Sequence, residues 1–423
     1  MPQSVTEAEV IFDWNVLDRL GPLTGKKVEL FDESLRDGIQ SPSAIDPPVE
    51  KKLEILHLME SLGLDAADLG LPGAGPRAFS DVLRLTQEIA SERLHIGAAC
   101  AGRTVVADIR PMVEIAQKTG VPVEVYTFIG SSPIRFYAEE WDLDTVLKRS
   151  EEAIDFAVRE GLEVAFVTED TTRSAPATLD RLFRHAIDHG ARRLCVCDTV
   201  GHATPDGVRR VLGFARDLVR GVGADVKLDW HGHNDRGLAL PNSLFAIEFG
   251  ADRIHGCGAG IGERVGNASM DQLLVNLKLL GLIDRDLTAL NRYTRAVAEA
   301  TGYELPGNYP LAGRDAFRTA TGVHAAAIIK ANKKGDRWLA DRVYSGVPAT
   351  EFGKAQEIEI GPMSGLSNVS YWLEARGIEG DDGLAQEVLR RAKEASHTLS
   401  EAEVLAIVQA RGGTAGGAVA SGH

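Results

Sequence analysis

Cysteine is scarce in this chain, with four residues in 423, at Cys100, Cys195, Cys197 and Cys257. So few thiols in so long a chain build no disulfide framework, and Cys195-x-Cys197 lacks the spacing of a zinc knuckle. A reducing cytoplasm is the expected compartment. Positive charge is also short: 46 Lys and Arg stand against 61 Asp and Glu, a formal net charge of −15. That balance argues against nucleic acid or an anionic membrane as the main partner, since both favour basic faces. An anionic substrate therefore needs locally placed arginine. No apolar run reaches the roughly eighteen residues of a membrane span. The acidic start, residues 1–18, reads as neither signal nor transit peptide.

What is present fits an ordinary globular protein, 44% hydrophobic and 25% charged, with room for one large α/β domain and a smaller partner. Between residues 27 and 284, short apolar runs alternate with amphipathic stretches. Strands are expected at 28–31, 66–69, 96–100, 123–128, 164–168, 194–197, 227–231 and 253–257. Helices such as 48–62, 144–160, 178–189, 205–219 and 267–280 follow them. Thr204-Pro205 and Asp46-Pro47-Pro48 set a capping residue before proline, as helix starts prefer. Eight strand–helix units about thirty residues apart predict a closed (β/α)8 TIM barrel, with an open doubly wound sheet as the other arrangement. A mainly helical C-terminal subdomain is expected over 285–410, with helices at 287–301 and 322–330, a short strand at 357–360, and two helices within 380–408, the second capped by Thr398 or Ser400. Residues 1–26 read as an N-terminal extension, and the Gly/Ala/Ser-rich tail, 411–423, as disordered.

In such a barrel the chemistry sits at the C-terminal ends of the strands. Those ends carry Asp32 to Gln40, Thr168 to Arg173, Asp198-Thr199-Val200-Gly201, His231-Gly232-His233-Asn234-Asp235 and Gly260 to Asn267. His231 and His233 alternate on one strand and so share a face. Each group has an ordinary reading as well. Asp37-Gly38 could be a turn, Glu169-Asp170 a solvated loop, Arg36 a surface ion pair, Asn267 the cap of the last barrel helix, and the two histidines hydrogen-bonded partners. Delivery of Asp37, His231, His233 and Asn267 to one rim favours a divalent cation. Oxygen and imidazole donors suit magnesium or manganese, with zinc or ferrous iron possible. Arg36, beside Asp37, is placed to stabilise negative charge on a carbonyl oxygen that the ion polarises.

With these residues in view the chain resembles the DRE-TIM metallolyase superfamily, in the branch of 2-isopropylmalate, homocitrate and citramalate synthases. Leu35-Arg36-Asp37-Gly38 and His231-Gly232-His233-Asn234-Asp235 resemble that family's two metal motifs, and Gly262-Glu263-Arg264-Val265-Gly266-Asn267 its asparagine-bearing loop. Asp198-Thr199-Val200-Gly201 is similar to the motif whose threonine contacts the oxo-acid carboxylate. Thr321-Gly322-Val323-His324 resembles the segment whose histidine enters the active site of the other subunit in a homodimer. The resemblance implies that His324 handles a proton together with Glu169 and Tyr344, and that Gln40, Thr199 and Arg135 bind substrate.

The implied activity is that of an acyltransferase of amino-acid biosynthesis: a metal-dependent Claisen condensation of acetyl-CoA with a 2-oxo acid, releasing CoA. Arg135 stands near where homocitrate synthases hold a distal carboxylate, so a dicarboxylic oxo acid is the expected substrate if Arg135 reads a second acidic group, and the oxo acid is otherwise left open. The ordinary reading of Arg135 is an ion pair with Glu139 or Glu140, or a contact with the CoA phosphates. Two departures favour a retro-Claisen lyase of the hydroxymethylglutaryl-CoA lyase type as the alternative. Ile39 stands where the synthases carry glutamate, and Cys257 lies near where those lyases hold a catalytic cysteine. A non-enzymatic metal-binding barrel is a third reading, which leaves Arg36, Glu169 and His324 unexplained. The chain also ends before the allosteric domain that feedback-inhibited isopropylmalate synthases append, so no inhibition through such a domain is expected.

Overall fold

The computed structural model describes residues 7–12, 27–379 and 381–411. The chain divides into two compact units, residues 15–305 and a second made of 1–14 with 306–423. Most of the expected extension and the tail beyond residue 411 lie outside the described residues.

The first unit is a closed barrel of eight parallel strands in sequential order: β1 (Glu29–Asp32), β2 (Ala66–Asp68), β3 (Gly97–Arg103), β4 (Val123–Gly130), β5 (Val164–Glu169), β6 (Arg193–Asp198), β7 (Lys227–Gly232) and β8 (Arg253–Gly256). β1 closes on β8 with Glu29 opposite Arg253 and Asp32 opposite Gly256. Each strand falls on an expected apolar run, because strands of a parallel sheet are covered on both faces and read as continuous hydrophobic segments. Helices follow in the same rhythm, among them Val49–Ser61, Leu143–Arg159, Pro176–Asp188 and Pro205–Val222. Thr204 caps the last of these, accepting from the Gly207 N–H at 3.3 Å.

Two expected helix starts differ. Pro48 holds the cap position of Val49–Ser61, with no side-chain cap bond. Asp46 instead pairs with Lys52 at 2.6 Å and with Arg77 at 3.2 Å. The last barrel helix opens at Met270 behind Ser269, so Asn267 is not its cap. The barrel unit also runs past residue 284. Its helix Leu290–Thr301 packs on Val49–Ser61, and the buried Tyr293 hydroxyl donates to Asp32 and lies 3.3 Å from Ser34 Oγ.

Alternation along the strands fills the barrel axis with charge rather than with the branched aliphatics usual in this fold. At the N-terminal end Arg193 and Arg253 interleave with Glu29 and Glu124. One layer up, Asp229 accepts from Tyr126 and Arg193, both at 2.6 Å, and lies 3.2 Å from His255. Phe31, Ala66, Ala99, Ala101, Tyr126 and Ala165 pack beside this ladder.

The second unit is mainly helical. Its α-helices among the described residues are Glu7–Val10, Gly322–Lys333, Arg337–Arg342, Leu366–Ala375, Asp382–Glu394 and Glu401–Ala410, with two-residue parallel strands β9 (Arg318–Thr319) and β10 (Glu357–Ile358). Ile360, Val369, Trp372, Val388, Val404 and Val408 form its core. Ser400 rather than Thr398 caps the final helix, in a reciprocal box with Glu403.

Candidate active site

The C-terminal rim of the barrel opens into a cavity of about 320 Å³, lined by Arg36, Asp37, Gln40, Glu169, Thr199, His231 and His233 among others. β7 ends in the histidine pair. Their Nε2 atoms stand 3.1 Å apart, and Asp37 Oδ2 lies 3.9 Å from the first and 3.6 Å from the second. All three side chains are buried, with their donor atoms within 4.8 Å of one another. Cis ligands of an octahedral magnesium or manganese ion lie about 3 Å apart, so the cluster needs only slight contraction to close on one.

Protonation favours the same reading. Glu33, directly below, receives His231 Nδ1 at 2.6 Å. Burial works against its charge, but His231, Arg36 and His255 hold the Glu33 carboxyl well below its ordinary value. An ionised carboxylate can only accept, so Nδ1 of His231 donates to it and Nε2 is directed to the cavity. Burial, then repulsion from His231, pushes His233 down to about 4, which leaves it neutral near pH 7. Its Nδ1 is buried without a hydrogen-bond partner.

Asn267 Nδ2 donates to Asp37 Oδ2 at 2.6 Å, while its Oδ1 is buried with no partner. Gly262 makes room for this amide: a Cβ there would stand 2.2 Å from Nδ2, at a backbone φ of +151°. Arg264 ties the loop down, gripping Asp235 with two bonds of 2.8 and 3.0 Å and donating to the Thr199 carbonyl. Two imidazole nitrogens, one carboxylate oxygen and one unpartnered amide oxygen thus form a donor set that can hold a hard or borderline divalent cation.

Arg36 is oriented by three carboxylates, donating to Glu33, to Asp68 at 2.8 Å and lying 3.2 Å from Asp37. Glu169, at the end of β5, also faces the cavity, and burial raises its carboxyl above the ordinary value. Thr199 Oγ1 accepts from the Asp170 N–H at 2.8 Å. Arg135 lies outside the cavity lining. It pairs with Glu139 at 3.2 Å, as its ordinary reading had it, and with Glu169 at 3.7 Å. In the second unit His324 and Tyr344 come together, their rings stacked with centroids 4.2 Å apart, and both are exposed.

Cys257 is fully buried, receives the Asn267 amide at 3.3 Å and does not line the cavity; burial raises its thiol well above the ordinary value. A lyase reading that needs this thiol at the substrate finds no support in that position.

Sequence reasoning passed over Glu33, Asp68, Asp229 and His255. The available signal was the repeated charge on one face of β1 and β8: Glu29 and Glu33 flank Phe31, and Arg253 precedes His255 by two.

A family profile described as HMGL-like matches residues 27–297. A probable 2-isopropylmalate synthase of Methanopyrus kandleri is 33% identical, covering 87% of this chain and 70% of that protein. A homocitrate synthase of the same organism is also 33% identical, covering 87% of each. The 2-isopropylmalate synthase of Sulfolobus acidocaldarius is 31% identical, over 91% of this chain and 96% of that one. Among solved structures, a Bacillus subtilis HMG-CoA lyase superposes with a TM-score of 0.55 at 22% identity, over 67% of this chain and 96% of its own. At that identity the likeness shows the fold alone.

Proposed function

The chain belongs to the HMGL-like family, and from that premise we propose that it is a synthase joining an acyl-CoA, most simply acetyl-CoA, to a 2-oxo acid with release of CoA. Relatives more than 30% identical over most of the chain carry synthase names. The observation that carries the site assignment is the buried Asp37, His231 and His233 cluster opening onto the cavity beside Arg36.

In this reading Asp37, His231 and His233 hold the divalent ion, magnesium or manganese by their donors, and Asn267 completes or braces the set. When bound, the cation supplies Lewis acidity at a carbonyl oxygen. Arg36, fixed by its three carboxylates, presents positive charge where negative charge grows during carbon–carbon bond formation. Thr199 and Gln40 orient the oxo acid. Glu169, raised by burial, takes part in moving the proton from the acyl methyl. His324 and Tyr344 complete that proton path from the other subunit of a homodimer. The four cysteines are free and buried, which fits a cytoplasmic enzyme.

The oxo acid should carry an apolar tail. Leu71, Phe128 and Val167 face the cavity, packed on Ala101 and Tyr126, and Arg135 is engaged outside it. It stands against the dicarboxylic expectation, which rests on Arg135 reading a second acidic group. Free-CoA release with acetyl-CoA and a panel of oxo acids tests both levels. Turnover of 2-oxoisovalerate or pyruvate is expected, with 2-oxoglutarate poor. A clear preference for 2-oxoglutarate would overturn the tail assignment, and no CoA release with any oxo acid would overturn the synthase. His231→Ala should lose bound metal and turnover together.

A further inference from the structure

We propose that the floor of the cavity holds a second cation site, built on Cys195, Asp229 and His255, for a thiophilic divalent ion such as zinc or cadmium. It is independent of the synthase reading and shares no ligand with the Asp37, His231 and His233 set. β6, β7 and β8 are consecutive in the barrel, and the register sets Cys195 opposite Asp229 and Asp229 opposite Arg253, with His255 two residues on. One donor atom from each of the three lies within 4.8 Å of the others, and all three residues are buried.

Cys197 repeats on the same face of β6, its Sγ 3.7 Å from that of Cys195. His255 turns Nε2 to the site, 3.2 Å from Asp229 Oδ2, while its Nδ1 faces Glu33 Oε1 at 3.4 Å. Access is open, because Cys195, Cys197 and His255 all line the cavity.

The donor chemistry separates this site from the one above it. Sulfur, nitrogen and oxygen at bond lengths of about 2.0–2.3 Å make a tetrahedral set whose donors lie roughly 3.5 Å apart, so the side chains must close in by up to about 1 Å. The Asp37 set offers no sulfur and favours harder ions. Binding breaks the Cys195 S–H bond, forms a sulfur–metal bond and releases the proton to solvent. Asp229 keeps its Oδ1 bond to Arg193, and its Oδ2, which accepts from the Tyr126 hydroxyl at 2.6 Å, exchanges the His255 contact for the ion. The guanidinium of Arg193 repels the cation, which holds affinity below that of a dedicated structural zinc site. An ion on this floor narrows the chamber used by substrate, so soft ions should inhibit.

Cadmium titration of the intact protein in saturating magnesium tests the site by the ultraviolet thiolate-to-cadmium absorption, which the Asp37 set cannot produce. One equivalent should raise the band in the unmodified protein and in His231→Ala. Cys195→Ser should abolish it, and Cys197→Ser should diminish it. His255→Asn, which leaves both thiols in place, should weaken cadmium at least tenfold, and serves if Cys195→Ser does not fold. Absence of the band at stoichiometric cadmium overturns the proposal. So does its persistence in the Cys195→Ser, Cys197→Ser double variant, which would move the thiolate to Cys100 or Cys257.

Discussion

Glu33 decides which nitrogen of His231 faces the cavity. Its carboxylate receives Nδ1 at 2.6 Å and is itself clasped by Arg36. Carboxylates behind a ligand histidine typically contribute ten- to hundredfold to metal affinity. Glu33→Gln should therefore weaken divalent-ion binding by about that factor in equilibrium dialysis, while circular dichroism stays unchanged. Unaltered affinity would make Glu33 a packing residue only.

Asp32 gives a second test at this scale. Burial raises its carboxyl to about 6, against the bonds it accepts from Tyr293 and Ser34. The folded chain then keeps this proton up to about pH 6, whereas an unfolded chain releases it near 4. Between those values the native state binds more protons, so stability falls as pH rises through that window and stays lowered above it. For one carboxyl the loss across the window amounts to on the order of 3 kcal/mol. Asp68, raised to about 6 by burial against the pull of Arg36, adds to it. Asp32→Asn should flatten this part of the denaturation-versus-pH curve; an unchanged slope would assign it elsewhere.

Residues legible in the sequence were those whose motif is contiguous: Arg36-Asp37, the His231 and His233 pair, and the loop ending in Asn267. Glu33, His255 and Asp229 were not, because their roles appear only once β1, β7 and β8 are known to be neighbours. The surroundings of Arg135 were not legible for a similar reason. Its charge is visible in the sequence, but its engagement by Glu139 and Glu169 depends on where the segment after β4 turns.

Among the elements, the strands were the most legible. All eight lie within a few residues of the expected runs, since burial on both faces leaves little room for polar interruption. Helix starts were less so. Asp46 was drawn away by Lys52 and Arg77, and Asn267 by Asp37, whereas Ser400 kept its local partner Glu403. Ser400→Ala should cost about 1 kcal/mol, seen as a lower melting temperature for the second unit. A value unchanged within error would make the box a surface ornament. The loop after β8 is the element most exposed to a small change. Gly262→Ala would drive a methyl onto the Asn267 amide, so bound metal should weaken several-fold while the barrel's thermal midpoint holds. Intact metal binding in that variant would remove Asn267 from the site.

For the whole molecule, the shared-site homodimer proposed above makes a demand no single chain can meet. Glu169→Ala chains mixed with His324→Ala chains, dissociated and reassociated, should regain part of the activity through the one intact site of each mixed dimer. No recovery in proven mixed dimers would place His324 in its own chain's site or outside catalysis.

The charged axis of the barrel has a further consequence, for heat. Unfolding would hand Glu29, Glu124, Arg193, Arg253 and Asp229 to water along with the usual hydrocarbon. Polar exposure lowers the heat capacity that apolar exposure raises. The increment on unfolding should therefore fall below the ordinary 12–15 cal/mol/K per residue, roughly the average for globular proteins. Scanning calorimetry can measure that increment. Because taking ions out of water costs less as temperature rises, such a ladder favours a broad, shallow stability curve, one that sacrifices peak stability for a wide range of working temperatures.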